Sequence, residues 1–157
     1  MKKTLIMAIA GAAAMISCGP KYVAPTAEPG SEIAYSMSFI RSVASTVTAD
    51  ENLVISPYSA GVALSMLAEG AEGETKAEFS KALNDCIFKA EDLGGNDTVI
   101  VNSVNSLWVD DNFSVRNRYV SLMQKDFDAL VYTLDFADPA TLKAINNWCS
   151  EHTNGKI

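Results

Sequence analysis

Apolar and polar positions along this chain set out a series of short elements, and the most regular block runs from Asn52 to Leu83. Asn52-Leu53-Val54-Ile55 reads as an apolar strand that stops at Ser56-Pro57. Ser56 suits a helix N-cap, since its hydroxyl can accept from an orphan backbone N–H one turn in. Pro57 falls at the first helical position, where its missing N–H costs nothing. From there to about Glu69 the chain is apolar on nearly every side, through Val62, Ala63, Leu64, Met66, Leu67 and Ala68, which predicts a buried helix. Gly70 is placed to end it in a left-handed turn. Thr75 and Glu78 have the spacing of a capping box for the helix that follows.

The flanking segments extend this pattern. Ser31 can cap a helix from about Glu32 to Thr46, whose apolar stripe is Ile33, Met37, Ile40, Ala44 and Val47. A short helix is predicted over Cys86 to Leu93, followed by turn signals at Gly94-Gly95 and Asn96-Asp97. Thr98 to Asp110 reads as a strand, with an apolar run near Trp108 that suggests burial on both faces. Asp111-Asn112 is a turn. Val115 to Phe127 has helical spacing at Val115, Tyr119, Leu122, Met123 and Phe127, and Leu130 to Phe136 alternates as a strand. Asp138-Pro139 repeats the cap-then-proline device, opening a helix to about His152 with Leu142, Ile145 and Trp148 or Cys149 inward. Asn154-Gly155 ends it. Helices and strands in this mixture give an α+β chain.

Composition agrees with a globular domain: 48% of the residues are hydrophobic and 20% charged. The net charge is −7. Without Lys2 and Lys3 the 12 basic residues become 10 against 19 acidic ones, a balance of −9. Nucleic-acid binding, which needs a basic face, is excluded on that ground.

The first residues alter the expected location. Met1-Lys2-Lys3 and the apolar run Thr4 to Ile16 have the form of a targeting segment and are too short to span a membrane. Met15-Ile16-Ser17-Cys18 resembles the lipobox of bacterial lipoproteins, with Met15 and Ile16 departing from the usual residues. That resemblance implies a signal peptide over 1–17 and lipid attachment at Cys18, against the alternative of an ordinary cleaved signal. A Pro-rich tether over 18–30 would join the lipid to the domain. The implied location is the cell envelope, lipid-anchored at the outer membrane or cell surface. Cys86 and Cys149 remain, and free thiols are favoured over a disulfide.

Enzymatic chemistry finds little support. His152 is the single histidine, no phosphate-binding loop is present, and Ser56 and Ser59 lack the glycine frame of a nucleophile elbow. Asp110-Asp111-Asn112 lacks the spaced ligands of a calcium loop and reads as a strand-to-helix turn. No catalytic residue, metal or cofactor is assigned.

The ordered motifs point elsewhere. Asn52-x-x-x-Ser56-Pro57-x-Ser59, the helix after it and Gly70-Ala71-x-Gly73-x-Thr75 resemble the serpin family. Val101-Asn102-Ser103-Val104-Asn105-Ser106-Leu107-Trp108 resembles a strand of its large sheet, and Leu134-Asp135-Phe136 the signature of its edge strand. Ile145-Asn146-Asn147-Trp148 with Thr153-x-Gly155-Lys156-Ile157 resembles its sheet-covering helix and terminus. The similarity covers residues 31–157 and implies an N-terminal fragment of the serpin fold, from the helix A–F region with the first strands of the large sheet.

It also implies inhibition of a serine or cysteine protease through cleavage of a loop that inserts as a new strand, a known form of strand addition. Ser56, Pro57 and Ser59 match the shutter region under the parting strands. Asn105 matches a nearby sheet asparagine, and Asn52 and Thr75 match motif positions. The reactive loop and the scissile bond are not in this sequence. The family's polyanion-binding helix corresponds to 84–97, where Asp85, Glu91, Asp92 and Asp97 face only Lys89, so no heparin-like partner is expected. A non-inhibitory surface or binding lipoprotein of the same fold, or an inactive truncated product, is the alternative.

Overall fold

The structure, a computed structural model, describes residues 28–48, 50 and 52–157. The expected signal peptide, Cys18 and most of the expected tether lie outside the described residues. Among the described residues, five helices and two strands follow in the order α1 (Glu32–Ala44), α2 (Pro57–Gly70), α3 (Gly73–Ala82), β1 (Asn105–Asp110), α4 (Asn117–Phe127), β2 (Ala129–Leu134) and α5 (Pro139–His152).

Local capping rules are obeyed where side chains meet their own backbone. The Ser31 hydroxyl accepts from the Ala34 N–H at 3.2 Å, and the Asp138 carboxylate from the Ala140 N–H at 2.8 Å. Pro57 and Pro139 open α2 and α5. Asn154 and Gly155 take positive φ just after α5.

The α2–α3 corner departs from expectation. Gly70 is the last residue of α2, and the left-handed conformation falls at Gly73, with φ +61°. The chain restarts a helix there behind an uncapped Glu72, so Thr75 lies inside the first turn and cannot form the expected capping box.

The core gathers Tyr35, Val62, Met66, Leu83, Phe88, Met123 and Phe127 between α1, α2 and α4. The face that α1 buries is not the one its aliphatic stripe predicts. Tyr35 is the buried residue, stacked on Phe39 at 5.8 Å and edge-on to Phe88 at 4.9 Å. Ile33, 56% exposed, and Met37 and Ile40 point away. Two apolar edges compete on this helix, and the aromatic one wins because each ring buries more area and finds ring partners. α2 is likewise open on one flank, at Leu67.

Residues 86–104 form no helix, contrary to the short helix expected over Cys86–Leu93. Their backbone donors go to neighbouring elements instead. The Phe88 N–H donates to the Ser65 hydroxyl at 3.0 Å, the Ala90 N–H to the Asp126 carbonyl at 3.1 Å, and the Glu91 N–H to the Tyr58 hydroxyl at 2.9 Å. Ser65 is fully buried. Ser65→Ala strands the Phe88 N–H in the core and is expected to lower stability by about 1–3 kcal/mol, read from the denaturant midpoint; an unchanged midpoint would refute this anchor.

The sheet is small. β1 and β2 pair in parallel from Asn105↔Ala129 to Asp110↔Leu134, with α4 as the crossover. Residues 98–104 do not extend β1, and 52–55 form no strand; Val54 is 97% exposed. A strand needs a neighbour for its backbone groups, and among the described residues the sheet contains β1 and β2 alone. α5 lies on this sheet through a column of rings. Trp108 stacks on Tyr132 at 4.3 Å, meets Trp148 edge-on at 6.1 Å, and Trp148 stacks on His152 at 4.3 Å. The buried α5 residue is Thr141, held by the Asp135 carbonyl at 2.6 Å, while Leu142, expected inward, is exposed. Cys86 is buried, Cys149 half-buried, and both are free thiols. No helix among the described residues is long and apolar enough to cross a membrane.

Candidate functional site

The start of α2 carries the polar constellation singled out in the sequence. The Ser56 hydroxyl accepts from the Ser59 N–H at 3.2 Å, and the two serine hydroxyls lie 2.9 Å apart. Pro57 sits between them and fixes the first turn. Both serines are exposed, so their hydroxyls can exchange partners without desolvation.

Asn105 is placed differently. It begins β1, and its side-chain amide donates to the Phe127 carbonyl at 2.8 Å, satisfying an orphan carbonyl at the end of α4. Asn52 and Thr75 are exposed, and among the described residues no hydrogen bond links either to the serine pair. The structure thus brings Ser56, Pro57 and Ser59 together and sets Asn105 at the foot of the sheet.

Sequence reasoning missed Tyr58. Its hydroxyl accepts from the Glu91 N–H and donates to the Lys89 carbonyl at 3.1 Å, fastening the irregular segment to the start of α2. Its place between Pro57 and Ser59 was the available signal. Beside it, Lys89 pairs with Asp126 at 2.9 Å. The hydrogen bond from Lys89 holds the Asp126 carboxyl below the usual carboxylate range, and the same pairing raises Lys89.

At the far end of the sheet, Asp110, Asp111 and Asp135 bring one carboxylate oxygen each within 4.8 Å of one another. Two of them serve turns. Asp110 accepts from the Asn112 N–H at 3.0 Å and the Phe136 N–H at 3.1 Å, and Asp135 from the Ala137 N–H at 2.7 Å. Backbone donors lower the Asp110 pKa. Both lowered carboxylates, Asp110 and Asp126, are charged when folded at a pH where the unfolded chain protonates them. They contribute stability above the unfolded value of about 3.9, and that contribution is lost as pH falls through their lower folded values. The denaturant midpoint should therefore drop on acidification below about pH 4, and Asp110→Asn should flatten that drop; an identical acid profile in the variant would refute the assignment.

A protein-family model described as Serpin (serine protease inhibitor) matches residues 31–157. The chain belongs to the serpin family. It is 33% identical over 121 residues to an uncharacterized serpin-like protein of Methanosarcina acetivorans, covering 69% of this chain and 28% of that protein. Neuroserpin of Gallus gallus is 33% identical over 121 residues, with 69% and 30% covered. Among solved structures, serpin-12 of Manduca sexta superposes with a TM-score of 0.68 at 26% identity, covering 83% of this chain and 38% of that one. The chain therefore spans less than a third of the length of these two curated relatives. The five helices and two-stranded sheet of the described residues are an incomplete N-terminal part of the serpin fold. Serpins are mostly protease inhibitors rather than enzymes.

Proposed function

We propose that this chain is the N-terminal part of a membrane-tethered serpin that inhibits a serine or cysteine protease by cleavage and insertion of its reactive loop. The observation that carries the reading is the family match over 31–157, joined to a Ser56–Ser59 turn whose hydroxyls lie 2.9 Å apart. In this role the turn, with Pro57, is the floor of the shutter, Asn105 is the sheet asparagine close to it, and Asn52 and Thr75 occupy motif positions of the family. Strand entry requires backbone groups to be released and recaptured, and paired hydroxyls at a helix start can accept either set of partners.

Ser56→Phe in the longer protein removes the cap and puts a ring where the sheet must part. It is expected to promote polymers or premature loop insertion, read by native gel; a normal monomer with normal inhibition would refute the shutter role. Residues 1–17 act as the signal peptide, Cys18 carries the lipid, and 18–30 form the tether to the cell envelope. Several acyl chains on one cysteine give stable anchoring, since each buried methylene adds about 0.8 kcal/mol. Cys18→Ala should move the protein from the membrane fraction to the soluble fraction, and retention in the membrane would sink the lipid assignment.

The reading includes no heparin-like partner: Lys89, the cation of the 84–97 segment, is already paired with Asp126. Inhibition itself is tested by incubating the longer protein with a panel of serine and cysteine proteases. Time-dependent, irreversible loss of one activity is expected. Unchanged activity across the panel would favour the non-inhibitory surface protein.

A further inference from the structure

Residues 91–104 are exposed throughout, carry no helix or strand, and project apolar side chains such as Ile100, 82% exposed. At their apex lies Asn96-Asp97-Thr98, an Asn-x-Thr sequence of the kind that accepts glycans on exported proteins. The turn is built tightly. The Asn96 side-chain oxygen accepts from the Thr98 N–H at 2.9 Å and the Val99 N–H at 2.8 Å, and the Asn96 N–H donates to the Val99 carbonyl at 2.9 Å. These bonds engage Oδ1 and the backbone, so the Asn96 amide nitrogen and the Thr98 hydroxyl are presented together on one fixed, solvent-facing loop.

A second sequence of this kind, Asn112-Phe113-Ser114, has its amide nitrogen engaged. The Asn112 amide nitrogen donates to the Asp111 carboxylate at 3.0 Å, and its backbone N–H to Asp110 at 3.0 Å, in the tight turn that ends β1.

We propose that the Asn96–Thr98 turn is a covalent glycosylation site, with the sugar on Asn96 Nδ2 or Thr98 Oγ1, and that Asn112 is left unmodified. The donor class is a lipid-pyrophosphate-linked sugar. A bond forms between the acceptor nitrogen or oxygen and the anomeric carbon while the bond from that carbon to the pyrophosphate oxygen breaks. The acceptor's proton goes to a base of the transferase and the lipid pyrophosphate leaves.

The inference rests on the proposed export, and the test separates the two. The protein is isolated from the envelope fraction of its native host, digested with trypsin, and the peptide from Ala90 to Arg116, which holds both sequences, is fragmented by mass spectrometry. A sugar mass located at Asn96 or Thr98, absent from Asn112 and lost in Thr98→Ala, is expected. Amidase release that converts Asn96 to aspartate marks the nitrogen linkage, and release by alkaline elimination marks the hydroxyl linkage. An unmodified peptide from envelope-located protein, or a sugar at Asn112 or Ser114, overturns the inference while leaving export intact. Protein found only in the cytoplasm and unmodified overturns both.

Discussion

Phe88→Ala is expected to destabilise the fold by about 3–5 kcal/mol, the range for removing a buried phenylalanine. Phe88 is 1% exposed although it belongs to no helix or strand. Its ring is edge-on to Tyr35 at 4.9 Å and to Tyr58 at 6.3 Å, so one side chain joins α1, α2 and the irregular segment. Truncation opens a cavity among rigid rings that cannot collapse into it. It also loosens the bond from the Phe88 N–H to Ser65, since the ring holds that backbone in place. A urea titration measures the loss directly. A shift of the midpoint no larger than that of an exposed-site control would show that the ring is not a core anchor.

Gly61→Val should be damaging for the complementary reason. A Cβ built at Gly61 lies 2.7 Å from two carbons of the Phe88 ring, well inside contact distance. Glycine in a helix costs about 1 kcal/mol relative to alanine, so its place in the middle of α2 calls for a packing reason, and the ring supplies it. Valine there must push aside a ring that Tyr35 and Tyr58 already hold, at a cost of about 2–3 kcal/mol. The same valine introduced with Phe88→Ala meets an empty space. The double variant should therefore be more stable than the sum of the singles by about 1–2 kcal/mol. Strict additivity would mean that Gly61 and Phe88 do not share the space.

What the sequence makes legible is local. The caps at Ser31, Ser56 and Asp138, the prolines that open α2 and α5, and the left-handed exit at Asn154-Gly155 each depend on a side chain and backbone groups a few residues away. These relations survive whatever the chain packs against. Long-range choices are not written in the same way. The α1 pattern contains both an aliphatic stripe and a Tyr35-Phe39 edge, and only the position of Phe88 decides between them. Cys86 to Leu93 has a plausible helical pattern, yet Ser65, Tyr58 and the Asp126 carbonyl take up its donors. Asn52-Leu53-Val54-Ile55 has strand composition and no strand to pair with among the described residues.

The candidate site divides along the same line. Ser56, Pro57 and Ser59 form one turn, and their proximity follows from spacing. The attachment of Asn105 to the Phe127 carbonyl depends on the crossover through α4, which no spacing rule states. Tyr58 and Ser65 look like ordinary helix residues in the sequence. Their hydroxyls matter because an irregular segment passes over them.

The proposed inhibition by cleavage and insertion of the reactive loop leaves the protease joined to the cleaved chain, and one gel tests it. The longer protein is mixed with the protease whose activity it abolishes and resolved under denaturing conditions. A detergent-stable band containing both chains is the predicted result. Clean cleavage of the serpin, with free active protease and no joined band, would contradict it.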